Sequence, residues 1–209
     1  MLDLVLPLEC GGCGAASTRW CPACASALEV RTDQPHVVTP RVDPGVPVFA
    51  LGRYAGPRRH VIVALKEHGR RDLVVPLARS LALGIHQLNR WGVLSCPLTV
   101  VPAPTRFLAA RRRGGDPVAR VATAATAEHP GITVVNVLRT AALVRDSVGL
   151  GSSARQRNIA GRVRLRACPP GEVLLVDDVV TTGATACEAV RTLVSGGARV
   201  AAVLTLAYA

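Results

Sequence analysis

Two adjacent carboxylates, Asp177 and Asp178, stand three residues before a run of small and hydroxyl side chains: Thr181, Thr182, Gly183, Ala184 and Thr185. Neighbouring carboxylates suit sugar hydroxyls, or a Mg²⁺ ion that keeps most of its waters. A glycine-bent turn that opens a helix aims backbone N–H groups at an anion, and threonine hydroxyls add donors. The combination suits a ligand that carries both a phosphate and vicinal hydroxyls. The plainer alternative is a capped strand–turn–helix with two solvated aspartates. An ATP-type phosphate loop, which needs Gly-Lys followed by Ser or Thr, is absent.

A second chemical cluster lies at the other end of the chain. Cys10 and Cys13 form one CxxC pair, and Cys21 and Cys24 form another. Each pair makes a turn that aims two thiolates at one point, and four thiolates complete a tetrahedral Zn²⁺ shell. Gly11, Gly12 and Gly14 permit the tight backbone of such a knuckle. Disulfide or redox use of CxxC is the alternative; the absence of a convincing signal peptide favours metal. Cys96, Cys168 and Cys187 have no ligand spacing and are expected as small buried hydrophobes.

The elements that must position these groups follow from periodicity. Residues 173–176 are continuously apolar, as in a strand buried on both faces of a parallel sheet, and the two aspartates are expected where it ends. Ala186, Ala189, Val190, Leu193 and Val194 recur at helical spacing, and Gly196 and Gly197 are a plausible stop. Further strands are expected at 48–51, 98–101, 132–138 and 199–206. Residues 56–90 read as helical with a break near Gly69, and Asp116-Pro117 is a strong helix start. The predicted fold class is α/β, Rossmann-like in the broad sense, with a parallel sheet and a small N-terminal tetracysteine knuckle. Residues 1–30 would form the zinc module, 31–90 a proline-bearing linker and helical hood, and 91–209 the sheet domain.

The stretch from Val173 to Thr185 resembles the phosphoribosyl pyrophosphate (PRPP) signature of type I phosphoribosyltransferases. Together with the tetracysteine N-terminus it resembles the ComF family of phosphoribosyltransferase-like proteins, which is linked to competence and DNA uptake. The resemblance implies a type I phosphoribosyltransferase fold, with Asp177 and Asp178 holding ribose and residues 181–185 holding the 5′-phosphate. It implies a pyrophosphate loop at Ala103, Pro104, Thr105 and Arg106, since related enzymes bind pyrophosphate on a proline-bearing loop after a strand. Prolines stiffen such a loop, and an arginine can pair with a diphosphate. Residues 139–166 resemble the family's segment ending in Arg155, Asn158 and Gly161, and would act as a flap over PRPP that excludes water. Departures are Arg113-Gly114-Gly115-Asp116, where the family usually has Arg-Gly-Phe-Asn, and Ser147, where glutamine is frequent. The implied cofactors are structural Zn²⁺ and Mg²⁺ with PRPP, and the implied partners include single-stranded DNA and a competence helicase.

Composition bounds these readings. The 209 residues suffice for one core domain and a small appendage. The net charge of +11 is almost entirely arginine, because Lys66 is the only lysine. Such a charge attracts polyanions, PRPP and nucleic acid alike. Six aromatic residues are too few for an extended base-stacking groove. No apolar run approaches the roughly 18 residues of a membrane span, so membrane insertion is not expected and a cytoplasmic location is. Lys66, Arg70 and Arg71, at the helical break, read as a solvated charge cluster, with a phosphate contact as the alternative.

Overall fold

The computed structural model describes residues 8–104, 115–140 and 163–209. Its centre is a six-stranded sheet in the order β1-β2-β8-β7-β3-β4. The strands are β1 (His36–Val37), β2 (Val48–Ala50), β3 (Leu98–Pro102), β4 (Ile132–Val134), β7 (Glu172–Val180) and β8 (Arg199–Tyr208). All neighbouring pairs are parallel except β1–β2. A separate antiparallel ribbon joins β5 (Leu138–Thr140) to β6 (Val163–Leu165). The helices are α1 (Pro22–Ala27), α2 (Gly56–Glu67), α3 (Val74–Arg90), α4 (Pro117–Thr126) and α5 (Ala184–Ser195), with a 3₁₀ turn at Arg71–Leu73.

The apolar run of β7 has the burial its composition requires: Val173, Leu174, Leu175 and Val176 are all fully buried. Alternation along the strand splits them between two cores. Leu174 and Val176 meet Leu77, Leu81, Val121 and Leu204 beneath α2, α3 and α4. Val173 and Leu175 meet Ala186, Ala189, Val190 and Leu193 of α5. The result is a layered α/β/α arrangement with β7 near its middle. Gly84 of α3 lies so close to Leu51 that a Cβ there would stand 2.5 Å from Leu51 Cδ2, which lets the helix sit down on the sheet.

Several sequence expectations are corrected. Residues 31–90, expected as linker and hood, supply β1, β2, α2 and α3, so they belong to the central sheet and its larger core. β7 does not end at the aspartates but runs through Asp177 and Asp178 to Val180, because β8 pairs with it as far as Val180↔Tyr208. The strand expected over 132–138 divides: β4 stays in the sheet and β5 leaves it for the ribbon. Cys96 and Cys168 are exposed and Cys187 is half-buried, so none of the three is a core residue. The expected helix start at Asp116-Pro117 is present, with the Asp116 carboxylate accepting from the Val118 and Ala119 amides. No helix among the described residues is long and apolar enough to cross a membrane.

Candidate functional site

The four cysteines converge as their spacing implies. Their Sγ atoms lie within 4.8 Å of one another, and Cys13 and Cys21 approach to 3.6 Å. Four thiolates around Zn²⁺ at about 2.3 Å would stand roughly 3.8 Å apart, so the cluster fits a tetrahedral ion and could hold a metal such as zinc. Cys21 caps α1, its Sγ accepting from the Cys24 amide, and Cys10 Sγ accepts from the Cys21 amide. Burial works against ionising Cys10. Amide hydrogen bonds around it, led by that of Cys13, outweigh the burial and bring the thiol down to about 6. Burial pushes Cys24 up, and its neighbouring thiols add to the rise.

The knuckle is docked on the body of the protein. Gly11 lies against Leu73, where a Cβ would come within 2.5 Å of Leu73 Cδ1. His60 Nδ1 lies 2.8 Å from the Gly12 carbonyl. Arg70 donates to the carbonyls of Glu9 (3.1 Å) and Arg19 (3.4 Å) while paired with Asp72 at 2.6 Å. The Arg70 partner holds the Asp72 carboxyl below its usual range. Arg70 therefore serves as a bracket for the knuckle, a role that the solvated-cluster reading does not contain.

The acid pair lies by the C-terminal end of α2. Asp178 is nearly buried and forms an ion pair with Lys66, so this lysine is not part of a merely solvated cluster. Asp177 Oδ1 accepts from the Asp178 amide at 2.8 Å, and Asp178 Oδ1 accepts from the Val179 amide at 2.7 Å. Burial and then the charge of Asp178 push the Asp177 carboxyl well above its usual range, against the pull of the Asp178 amide and Lys66. One carboxyl of the pair is thus biased to keep its proton, while the other is paired with the Lys66 ammonium. Such a pair can donate to one hydroxyl and accept from another.

The turn after β7 is shaped by a second segment. Gly183 has φ 84°, and a Cβ there would collide with the Val42 carbonyl and with Pro40. The Val42 amide donates to the Thr182 carbonyl at 2.9 Å. Glycine is therefore required twice, by its left-handed backbone and by the close passage of residues 40–42. Thr182 Oγ1 accepts from the Ala184 amide at the start of α5 (3.4 Å), and Thr181 is exposed. Of the expected pyrophosphate loop, Ala103 and half-buried Pro104 follow β3 beside β7, with the Ala103 amide bonded to the Val176 carbonyl at 2.8 Å. Thr105, Arg106, Arg155 and Asn158 lie outside the described residues, as do Arg111, Arg112 and Arg113.

Arg58 is a residue that the helical pattern alone passes over. It is buried at 6 % exposure and donates to the Leu206 carbonyl at 3.2 Å, near the end of β8, and burial lowers its guanidinium to about 10. The available signal was its place in the apolar stripe Arg58, Val61, Ile62 and Leu65, where a cation should not be without a reason. The structure thus gathers Asp177, Asp178, Ala103, Pro104 and residues 181–185 at the carboxyl-terminal edge of the sheet, where ligands of open α/β folds bind. The chain matches no known family model, and no curated protein resembles it closely enough to count as a relative.

Proposed function

We propose that this chain is a PRPP-binding protein with a type I phosphoribosyltransferase site, of the ComF kind. The observation that carries the reading is the continuity of β7, Asp177-Asp178, the Gly183 turn and α5, set at the carboxyl edge of a parallel sheet. In this reading Asp178 accepts from a ribose hydroxyl, Asp177 donates to or accepts from its neighbour, and the 181–185 turn takes the 5′-phosphate. Breaking the bond between the anomeric carbon and pyrophosphate develops positive charge on the sugar and negative charge on the leaving group. The nearby carboxylate answers the first, and Ala103, Pro104, Thr105 and Arg106 answer the second. Mg²⁺ bound with PRPP would neutralise part of the diphosphate charge. The tetracysteine knuckle would hold structural Zn²⁺, and the protein would act in the cytoplasm. The acceptor of the phosphoribosyl group is left open by this set of residues.

Calorimetric titration of PRPP into the protein, with and without Mg²⁺, tests the reading. Micromolar binding that disappears in the Asp177→Asn/Asp178→Asn protein is expected, followed by pyrophosphate release once an acceptor is supplied. Absence of binding in both conditions would remove it.

A second reading is favoured by the net charge of +11 and by exposed Arg139, Arg164 and Arg166 on or beside the β5–β6 ribbon. Here the protein serves DNA uptake without catalysis, binding single-stranded DNA and acting with a competence helicase, and PRPP is a regulatory ligand. Its mark is an affinity for single strands that falls steeply with salt, as counterions released by several phosphate contacts require.

A further inference from the structure

Among the described residues, a single buried side-chain nitrogen or oxygen lacks a hydrogen-bond partner: Nε of Arg120. A buried guanidinium N–H without an acceptor has lost its water and gained nothing in return, so it calls for a partner. Arg120 lies on α4 and lines an open cavity of about 530 Å³ together with Thr123, Asn136 and Arg139. Asp116 also borders the cavity, and its Oδ1 accepts from the Val118 and Ala119 amides at the start of α4, at 2.9 and 3.3 Å. Beside apolar Ala119, Ala124 and Ala127, the polar side chains Arg120, Thr123, Asn136 and Arg139 can all donate into the space.

The β5–β6 ribbon supplies a second, independent observation. Arg139 and Arg164 are direct partners in its register, and both are exposed. The alternate positions Leu138, Val163 and Leu165 pack into the α5-side core, so the two arginines share the opposite face. Like charges set directly across an antiparallel pair repel. Neither arginine has an ion-pair partner among the described residues.

We infer that Arg120, Arg139 and Arg164, with Asn136 and Thr123, form a binding site for a phosphate monoester on a small ligand. Guanidinium forks match the geometry of a tetrahedral anion bidentately, and a dianion between Arg139 and Arg164 converts their repulsion into shared attraction. Arg120 and Arg139 meet at one cavity rather than along a track of the surface, which favours a compact phosphorylated molecule over a continuous polymer backbone. Arg120, Thr123 and Asn136 lie outside the Asp177–Asp178 site, whereas Arg139 and Arg164 stand at the two ends of the 139–166 segment that the family resemblance makes a flap over PRPP. β4, which precedes Asn136, lies two strands from β7, or roughly 10 Å at the usual strand spacing. The two sites are told apart by which substitutions remove bound phosphate.

The test titrates the full-length protein with inorganic phosphate and with ribose 5-phosphate at low ionic strength. It compares the unsubstituted chain, Arg120→Met/Arg139→Met and Asp177→Asn/Asp178→Asn. The arginine substitutions are expected to remove one phosphate site, or to weaken it at least tenfold, while the aspartate substitutions leave that site in place. Because Arg120 is half-buried and its replacement can disturb α4, the single Arg139→Met protein provides the control. Arg139 is exposed, so its replacement should keep the melting temperature and still lose most of the affinity. Equal phosphate uptake by all three proteins would overturn the site. So would a loss seen only with an oligonucleotide that lacks terminal phosphates, since that would assign the arginines to a phosphodiester backbone.

Discussion

The tetracysteine knuckle and the Asp177–Asp178 edge are built on opposite plans. All four sulfur ligands come from a 15-residue stretch whose turns are local, and they meet with no help from the rest of the chain beyond docking. The acid pair depends on strangers: Lys66 from α2, residues 40–42 from the segment before β2, and the end of β3. A local site fails all at once when one ligand is lost. A site assembled from distant parts can be detuned piece by piece.

The largest expected effect is on the local site. Structural zinc binds metal-dependent modules with roughly 10–16 kcal/mol, and that energy is folding energy. Cys24→Ser, or a strong chelator, is expected to release a stoichiometric metal ion and to cost on the order of 3 kcal/mol or more. Metal analysis and thermal melting check this, and a metal-free preparation with an unchanged melt would undo the contrast. Next comes Gly183→Ala. It forces a side chain into a left-handed backbone and against the Val42 carbonyl, with an expected loss of about 2–4 kcal/mol by denaturant unfolding. It should also weaken any phosphate bound at the turn.

Lys66→Met sharpens the comparison further. It leaves the nearly buried Asp178 carboxylate without its ammonium partner, and because Lys66 is partly exposed the expected cost is only about 1 kcal/mol. The pH dependence carries a sign. A carboxyl whose pKa is raised by folding, as for Asp177, favours the folded state below its unfolded value of 3.8, and this contribution fades as pH rises through the higher folded value. Melting temperature against pH should lose that slope in Asp177→Asn, and a slope that survives would assign it to another group. The smallest effect is expected for Arg70→Ala, about 1 kcal/mol, because the knuckle keeps its Leu73 and His60 contacts. Hydrogen exchange at residues 9–19 should rise in this variant while the sheet stays protected.

Local pattern carried most of what could be read in advance. The apolar run of β7, the α5 periodicity with its Gly196 stop, the Asp116-Pro117 start and the cysteine spacing each depend on neighbours within a few residues, and each is present. Long-range packing decided the rest. Nothing near Val48 in sequence says that β2 will pair with Val203–Thr205, more than 150 residues away, so residues 31–90 looked like a hood. Lys66 resembled a solvated charge because its partner lies beyond a hundred residues of chain. The continuation of β7 through two aspartates contradicts strand preference and is imposed by β8 alongside.

Helix α2 touches both sites. His60 reaches the Gly12 carbonyl of the knuckle, and Lys66, six residues or about 9 Å further along the helix, reaches Asp178. A helix that contacts both sites transmits strain as well as support. If occupying the knuckle with metal shifts α2, affinity at the acid pair shifts with it, and ligand at the acid pair must change the hold on metal by the same factor. To the extent that α2 moves, the knuckle and the acid pair would titrate as one linked system.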